Sequence, residues 1–259
     1  MAGLKRRPGR YESWGLSLLG LGLFLGVWQV LAVGMTAGPQ VLPAPLAVIE
    51  TTRHLLIAPF AGHTLLGHLA ASLQRFGLGF GLAALVGVPL GLTMGRFGWL
   101  DDLVTPLFEA LRFVAPLAWV PFAVLWFGTG IGGPVMVIFA GAFPPCLVNA
   151  YRGARQVEAA QPLGAGPLRI IVEVLLPGAL PAIVAGLRVS AGLAWQSLIG
   201  AELIVAGAGL GFVMVQAQSS LSPQIVMAAM AAVGLVGMLI DIALRRAEWA
   251  IRRQWDQLA

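Results

Sequence analysis

The polar stretch with the most specific spacing reads Glu158-Ala159-Ala160, three residues, Gly164, nine residues, Val174, one residue, Leu176-Pro177. These residue types dock; they do not catalyse. Residues 156–163 and 168–175 read as two short helices hinged at Gly164, which turns the backbone where other residues are strained. Glu158 near the start of the first suits the positive end of the helix dipole. Ala159 and Ala160 carry so little bulk that a groove on another protein can close on their backbone. Pro177 and Pro181 end the second helix and open the apolar run that follows. Pro162 falls inside the first helix, where it removes a donor and crowds the carbonyl of Glu158, so that helix is expected to be short or bent.

Other residues suited to chemistry point to no catalytic centre and no metal site. His54, His63 and His68 are the only histidines, and none has the spacing of a His-Glu-x-x-His metal helix. His63 and His68, five apart, do not share one helical face, and all three read as solvated or structural. The single cysteine, Cys146, rules out an internal disulfide and reads as a small buried apolar residue. Lys5 is the only lysine, so no glycine-rich phosphate loop with its lysine exists in the chain. Any ATP must be hydrolysed elsewhere.

Arg188, Trp195 and Glu202 recur every seven residues, with Gly192 and Ile199 on the same stripe, and so share one helical face. The span from Arg188 to Glu202 rises about 21 Å, which puts the two charges near opposite ends of a hydrocarbon core. Two readings stand side by side: a stripe facing a translocation path, or end anchors flanking a tryptophan packed between subunits. Glu109 with Arg112, and Asp241 with Arg245, are spaced to satisfy one another.

The elements that must position these residues are membrane helices. A chain of 259 residues that is 58% hydrophobic and 10% charged, with mean hydropathy +0.87, cannot bury its apolar surface in one water-soluble core. Six apolar runs approach the ~20 residues needed to cross a bilayer: 14–34, 66–94, 107–127, 133–151, 181–205 and 225–244. Backbone groups in lipid must pair within their own segment, and no run alternates as a strand would. The fold expected is an all-α bundle of six transmembrane helices in one domain, 1–259. The first run is too long for a signal-peptide core and reads as a retained span.

Arginines cluster on one side of this arrangement: Arg6, Arg7, Arg10, Arg96, Arg152, Arg155, Arg169, Arg245, Arg246, Arg252 and Arg253, with Lys5. The positive-inside rule makes that side cytoplasmic, with both termini and the 152–178 loop on it. The same rule accounts for the net charge of +5, so no nucleic-acid partner is expected. Leu244, Ala247, Ile251, Trp255 and Leu258 repeat at helical spacing, so 245–259 reads as an amphipathic tail lying on the inner surface. Residues 35–67 lie outside, with a short helix over 46–56. Gly77, Gly79, Gly81, Gly87, Gly91 and Gly95 line the second span and predict close helix packing. Pro89, Pro116, Pro121, Pro144 and Pro145 predict kinks.

The gapped motif from Glu158 to Pro177 resembles the coupling loop of permease subunits of ATP-binding-cassette importers, with Val174 where isoleucine is usual. Leu42-Pro43-Ala44-Pro45, Leu125-Trp126-Phe127-Gly128, Phe143-Pro144 with Asn149, Gly186-Leu187-Arg188, Ala194-Trp195 and Ala201-Glu202 are similar to the sulfonate, taurine and nitrate type. The resemblance runs from about Val41 to Arg246. It implies a type I importer fold in a bacterial inner membrane, carrying a small anion delivered by an extracytoplasmic binding protein. It also implies pairing with a second permease subunit, taken as another copy of this chain, and with two ATPase subunits. ATP and magnesium would then belong to the ATPase, and this chain would bind no cofactor. On the motif, Glu158 would make the polar contact with the ATPase. Ala159, Ala160 and Gly164 would allow close approach, and Val174, Leu176 and Pro177 would anchor the loop to the bundle. An ion-coupled secondary transporter is the alternative, but it calls for midplane charges and a repeated half that are not visible here. An intramembrane enzyme would need a nucleophile with a neighbouring base, and none is adjacent in sequence.

Overall fold

The computed structural model describes residues 10–34, 42–158 and 175–256. Its order is α1 (Arg10–Gly34), α2 (Pro45–Ile57), α3 (Leu65–Arg96), α4 (Gly98–Leu111), a 3₁₀ turn (Pro116–Trp119), α5 (Val120–Phe127), α6 (Gly132–Glu158), α7 (Leu176–Val205), α8 (Leu210–Ser219) and α9 (Pro223–Asp256). The described chain is helical apart from turns and one isolated bridge between Phe60 and His63. α3, α6, α7 and α9 are each long and apolar enough to cross a membrane. The pair formed by α4 and the 3₁₀–α5 segment supplies a fifth crossing if counted together, and α1 carries a shorter apolar stretch, Leu18–Gly34. Large apolar side chains face outward on these helices, Leu78, Leu82 and Leu85 on α3 and Leu235, Met238 and Leu239 on α9 among them. In water such a surface would drive aggregation; against lipid tails it is the appropriate solvent-facing chemistry.

The third span, expected as one helix over 107–127, is broken. α4 and the Pro116–Phe127 segment meet at 90°. Pro116 disfavours helical geometry at the residue before it, and Ala115 accordingly lies at φ −55°, ψ 138°. The prolines predict a kink there; the chain makes a full elbow. Other boundaries move outward. α6 continues past Tyr151 to Glu158, α7 starts at Leu176 with Pro177 in its first turn and Pro181 inside, and α9 runs unbroken from the sixth span to Asp256. The tail up to Asp256 therefore extends a span and does not begin a new helix.

Packing is tightest between α3 and α6. Gly79, Ala83, Gly87, Gly91 and Gly95 recur every four residues along one face of α3, and that face lies against α6. A methyl group on Gly79 would fall 2.6 Å from Ile138, one on Gly87 2.9 Å from Cys146, and one on Gly91 2.9 Å from Ala150. Gly77 and Gly81, on other faces, would meet nothing within 4 Å. Cys146 is buried beside Ser190 at 3.0 Å.

Candidate functional site

The two ends of the expected docking loop are held together by the bundle. α6 delivers Glu158 at its last turn, and α7 begins at Leu176. Between them, Leu175, Ala154, Ala179 and Ile183 form one buried cluster with Leu92 and Ala150, and Val157 packs on it. A Cβ on Gly178 would fall 2.6 Å from Val157, so the exit of α6 and the entry of α7 touch. Leu175 is the buried anchor; Leu176 is 38% exposed. Ala159, Ala160, Gly164 and Val174 lie outside the described residues, as do Pro162 and the hinge between the two expected loop helices.

The stripe on α7 has intramolecular partners at all three positions. Arg188 reaches α9, pairing with Asp241 at 2.8 Å and Glu248 at 3.5 Å, while Arg245 pairs with the other oxygen of Asp241 at 2.6 Å. Trp195 is buried; its indole N–H donates to the Val233 carbonyl at 3.1 Å and its ring meets Phe76 edge-on at 5.7 Å. Glu202 is buried at the end of α7 and pairs with Arg75 at 3.0 Å.

Around Glu202 the chain builds a polar latch that the heptad spacing on α7 does not reveal. His68, Ser72 and Arg75 stand at i, i+4 and i+7 on one face of α3. α8 opens at Gly209, and its first N–H groups have no carbonyl behind them. Each finds a side chain: Gly209 N–H donates to His68 Nδ1 at 3.1 Å, Leu210 N–H to Ser72 Oγ at 2.9 Å and Gly211 N–H to Glu202 Oε2 at 3.0 Å. Ser72 Oγ donates onward to Glu202 at 2.8 Å, and Arg75 Nη1 also donates to the Ala208 carbonyl. His68 must then carry its proton on Nε2, which donates to the Phe60 carbonyl at 2.9 Å. Gly209 sits at φ +123°, and a Cβ there would enter the Glu202 carboxylate, so both backbone and space require glycine. Three polar residues at helical spacing inside an apolar span were the available signal.

Two cavities flank α4. One of about 590 Å³ lies between α4, the elbow and α6, walled by Leu107, Phe108, Trp119, Met136 and Phe139, with Arg112 its only charged lining residue. The other, about 390 Å³, is polar and is lined by Asp101, Asp102, Glu109, Tyr151 and Arg152. Tyr151 donates to Asp101 at 2.7 Å across the α4–α6 contact. Arg112 and Phe108 line both cavities. Glu109 and Arg112 pair at 2.9 Å, as their spacing indicated.

Residues 87–253 match the family model described as the inner membrane component of binding-protein-dependent transport systems. The chain belongs to that family. The permease is 38% identical over 238 residues to the taurine transport system permease protein TauC of Escherichia coli, covering 89% of this chain and 86% of that one. It is 35% identical over 253 residues to the bicarbonate transport system permease protein CmpB of Synechococcus elongatus, covering 93% and 90%. To the nitrate import permease protein NrtB of Synechocystis it is 34% identical over 231 residues, covering 85% and 83%. Its fold matches a chain of the MetNI methionine ABC transporter in an inward-facing conformation with a TM-score of 0.63 at 19% identity, covering 72% of this chain and 95% of that one. The permease is thus a multi-pass membrane subunit of an ATP-driven importer of the taurine, bicarbonate and nitrate permease type, and works with an ATPase and a binding protein.

Proposed function

We propose that two copies of this permease pair around a translocation path for a small anion, with both termini in the cytoplasm of a bacterial cell and two ATPase subunits docked beneath. ATP and its magnesium ion sit in those subunits, and this chain binds no cofactor of its own. Glu158, Ala159, Ala160 and Gly164 meet the ATPase, and Val174, Leu176 and Pro177 join the loop to α7. The observation that carries this reading is the seating of the loop's two ends: Leu175 and Val157 lie in one cluster with α3, α6 and α7. A loop so anchored passes a push from below into three spans at once, since packed interiors shift as units and do not deform continuously.

On this reading the α7 stripe supports the path from behind. Arg188 ties α7 to α9, Trp195 keys into the Val233 turn of α9, and Glu202 ties α7 to α3, so the helices tilt together. Small anions as cargo accord with the relatives, whose names refer to taurine, bicarbonate and nitrate.

The test is Gly164→Glu. Uptake by the assembled importer is expected to fall at least tenfold while the variant reaches the membrane in normal amount, measured by labelled-solute uptake and by co-purification of the ATPase. Wild-type uptake by this variant contradicts the docking assignment, and uptake without any ATPase favours an ion-coupled carrier instead.

A further inference from the structure

We infer that the last turns of α9 carry a binding site for an anionic phospholipid, formed by Arg246, Trp249 and Arg253. The inference goes beyond the importer reading and needs only that α9 spans the membrane. α9 has 34 residues and is about 51 Å long, roughly 20 Å more than the hydrocarbon core. Its two faces differ along the whole of that length. Val233, Val236 and Ile240 pack inward on the bundle, and farther along Asp241 and Glu248 turn toward α7 to pair with Arg188 at 2.8 Å and 3.5 Å. On the opposite face Leu235, Leu239 and Ile242 are exposed to lipid. The same stripe continues at helical spacing into Arg246, Trp249 and Arg253, all three exposed. The acids are drawn to α7, and the outward stripe is left basic.

That stripe has the chemistry of a phospholipid from acyl chain to phosphate. Arg246 comes about 6 Å past Ile242 along the helix axis and has no partner among the described residues, whereas Arg245 is held by Asp241 at 2.6 Å. Helical side chains lean toward the amino end, which here is the direction of the bilayer. Arg253 does so: its guanidinium carbon lies 3.8 Å from the centre of the Trp249 ring, one turn back. Its charge therefore stands at the level of Trp249, three residues past Arg246. The next acid on the helix, Asp256, comes beyond Arg253 and farther from the bilayer. Guanidinium forks match phosphate oxygens, and an exposed indole favours the headgroup level. The apolar half of the stripe is what singles out a lipid: acyl chains lie along Leu235, Leu239 and Ile242, which a soluble phosphate has no use for. Arg188 ties α7 to α9 at this same level, so a lipid held on the outward face steadies both helices.

The experiment takes the permease with its ATPase subunits in neutral detergent and titrates it with phosphatidylglycerol and with phosphatidylcholine, reading bound lipid by native mass spectrometry. The wild type should hold phosphatidylglycerol roughly tenfold tighter or more. A basic residue near an anionic headgroup contributes about fivefold, so Arg246→Gln combined with Arg253→Gln should weaken phosphatidylglycerol binding about 25-fold and leave phosphatidylcholine binding within about twofold. Lysine at both positions should keep phosphatidylglycerol binding within about fivefold of wild type. Arg53→Gln, on the exposed face of α2, should change it by less than about twofold. Should the double variant not fold, Arg246→Gln alone decides, with a loss of about fivefold expected. Equal affinity of the wild type for the two lipids, unchanged binding in the glutamine variants, or an equal loss in Arg53→Gln overturns the proposal. Glycerol 1-phosphate bound as tightly as phosphatidylglycerol overturns it in favour of a soluble phosphate. Loss of the ATPase from the glutamine variants overturns it in favour of a protein contact.

Discussion

At the scale of single residues, Glu202 is a fully buried charge on which the latch converges. It is fully enclosed, its two oxygens accept from Ser72 and Gly211, and its charge is balanced by Arg75 at 3.0 Å. Removing one partner of a buried ion pair leaves the other uncompensated, at a cost of about 3 kcal/mol or more. Glu202→Ala is expected to lose that much stability in detergent, read as a lowered midpoint of thermal unfolding; a variant as stable as wild type would show that Arg75 finds equivalent company. The heptad spacing on α7 identified Glu202 as special in sequence but not why. Its side-chain partners Arg75 and Ser72 are 127 and 130 residues away in the chain, a distance over which periodicity carries no information.

At the scale of elements, the α3–α6 seam turns a glycine-rich span into a specific contact. Association in lipid lacks a hydrophobic drive, so close backbone approach has to supply it. Gly91→Leu would drive a side chain into Leu147 and Ala150, and overpacking of this kind costs about 1–3 kcal/mol. Gly81→Leu points where nothing lies within 4 Å and should leave folding intact. Comparing the monodisperse yield of the two variants after extraction checks the contrast; equal losses would mean that the seam does not direct packing. The glycines were visible in sequence as a group. Which of them face α6 follows from their spacing by four, seen only once α6 is known to be the partner.

At the scale of the molecule, the charge distribution and the helix order together predict topology. Arg53 lies on α2 between the first two spans, whereas Gln254 lies in the last turns of α9, beside Arg253. With Cys146 buried, a membrane-impermeant maleimide applied to intact cells should label Arg53→Cys and spare Gln254→Cys. Labelling of Gln254→Cys from outside would invert the orientation and place the loop proposed to meet the ATPase on the wrong side for it.

Membrane residence, helical class and the family were legible in the linear chain, because each depends on runs or spacings within about 30 residues. Hydrophobic length sets whether a segment enters lipid, and a gapped motif is read in order along one strand of polypeptide. The 90° elbow was half legible: Pro116 announced a break, but its angle depends on α6 and α7 packing beneath it. The latch at the start of α8 and the convergence of two cavities on Arg112 were decided by the tertiary structure alone. Orphan N–H groups and buried charges must find partners wherever the fold brings them, and those partners come from helices far apart in sequence.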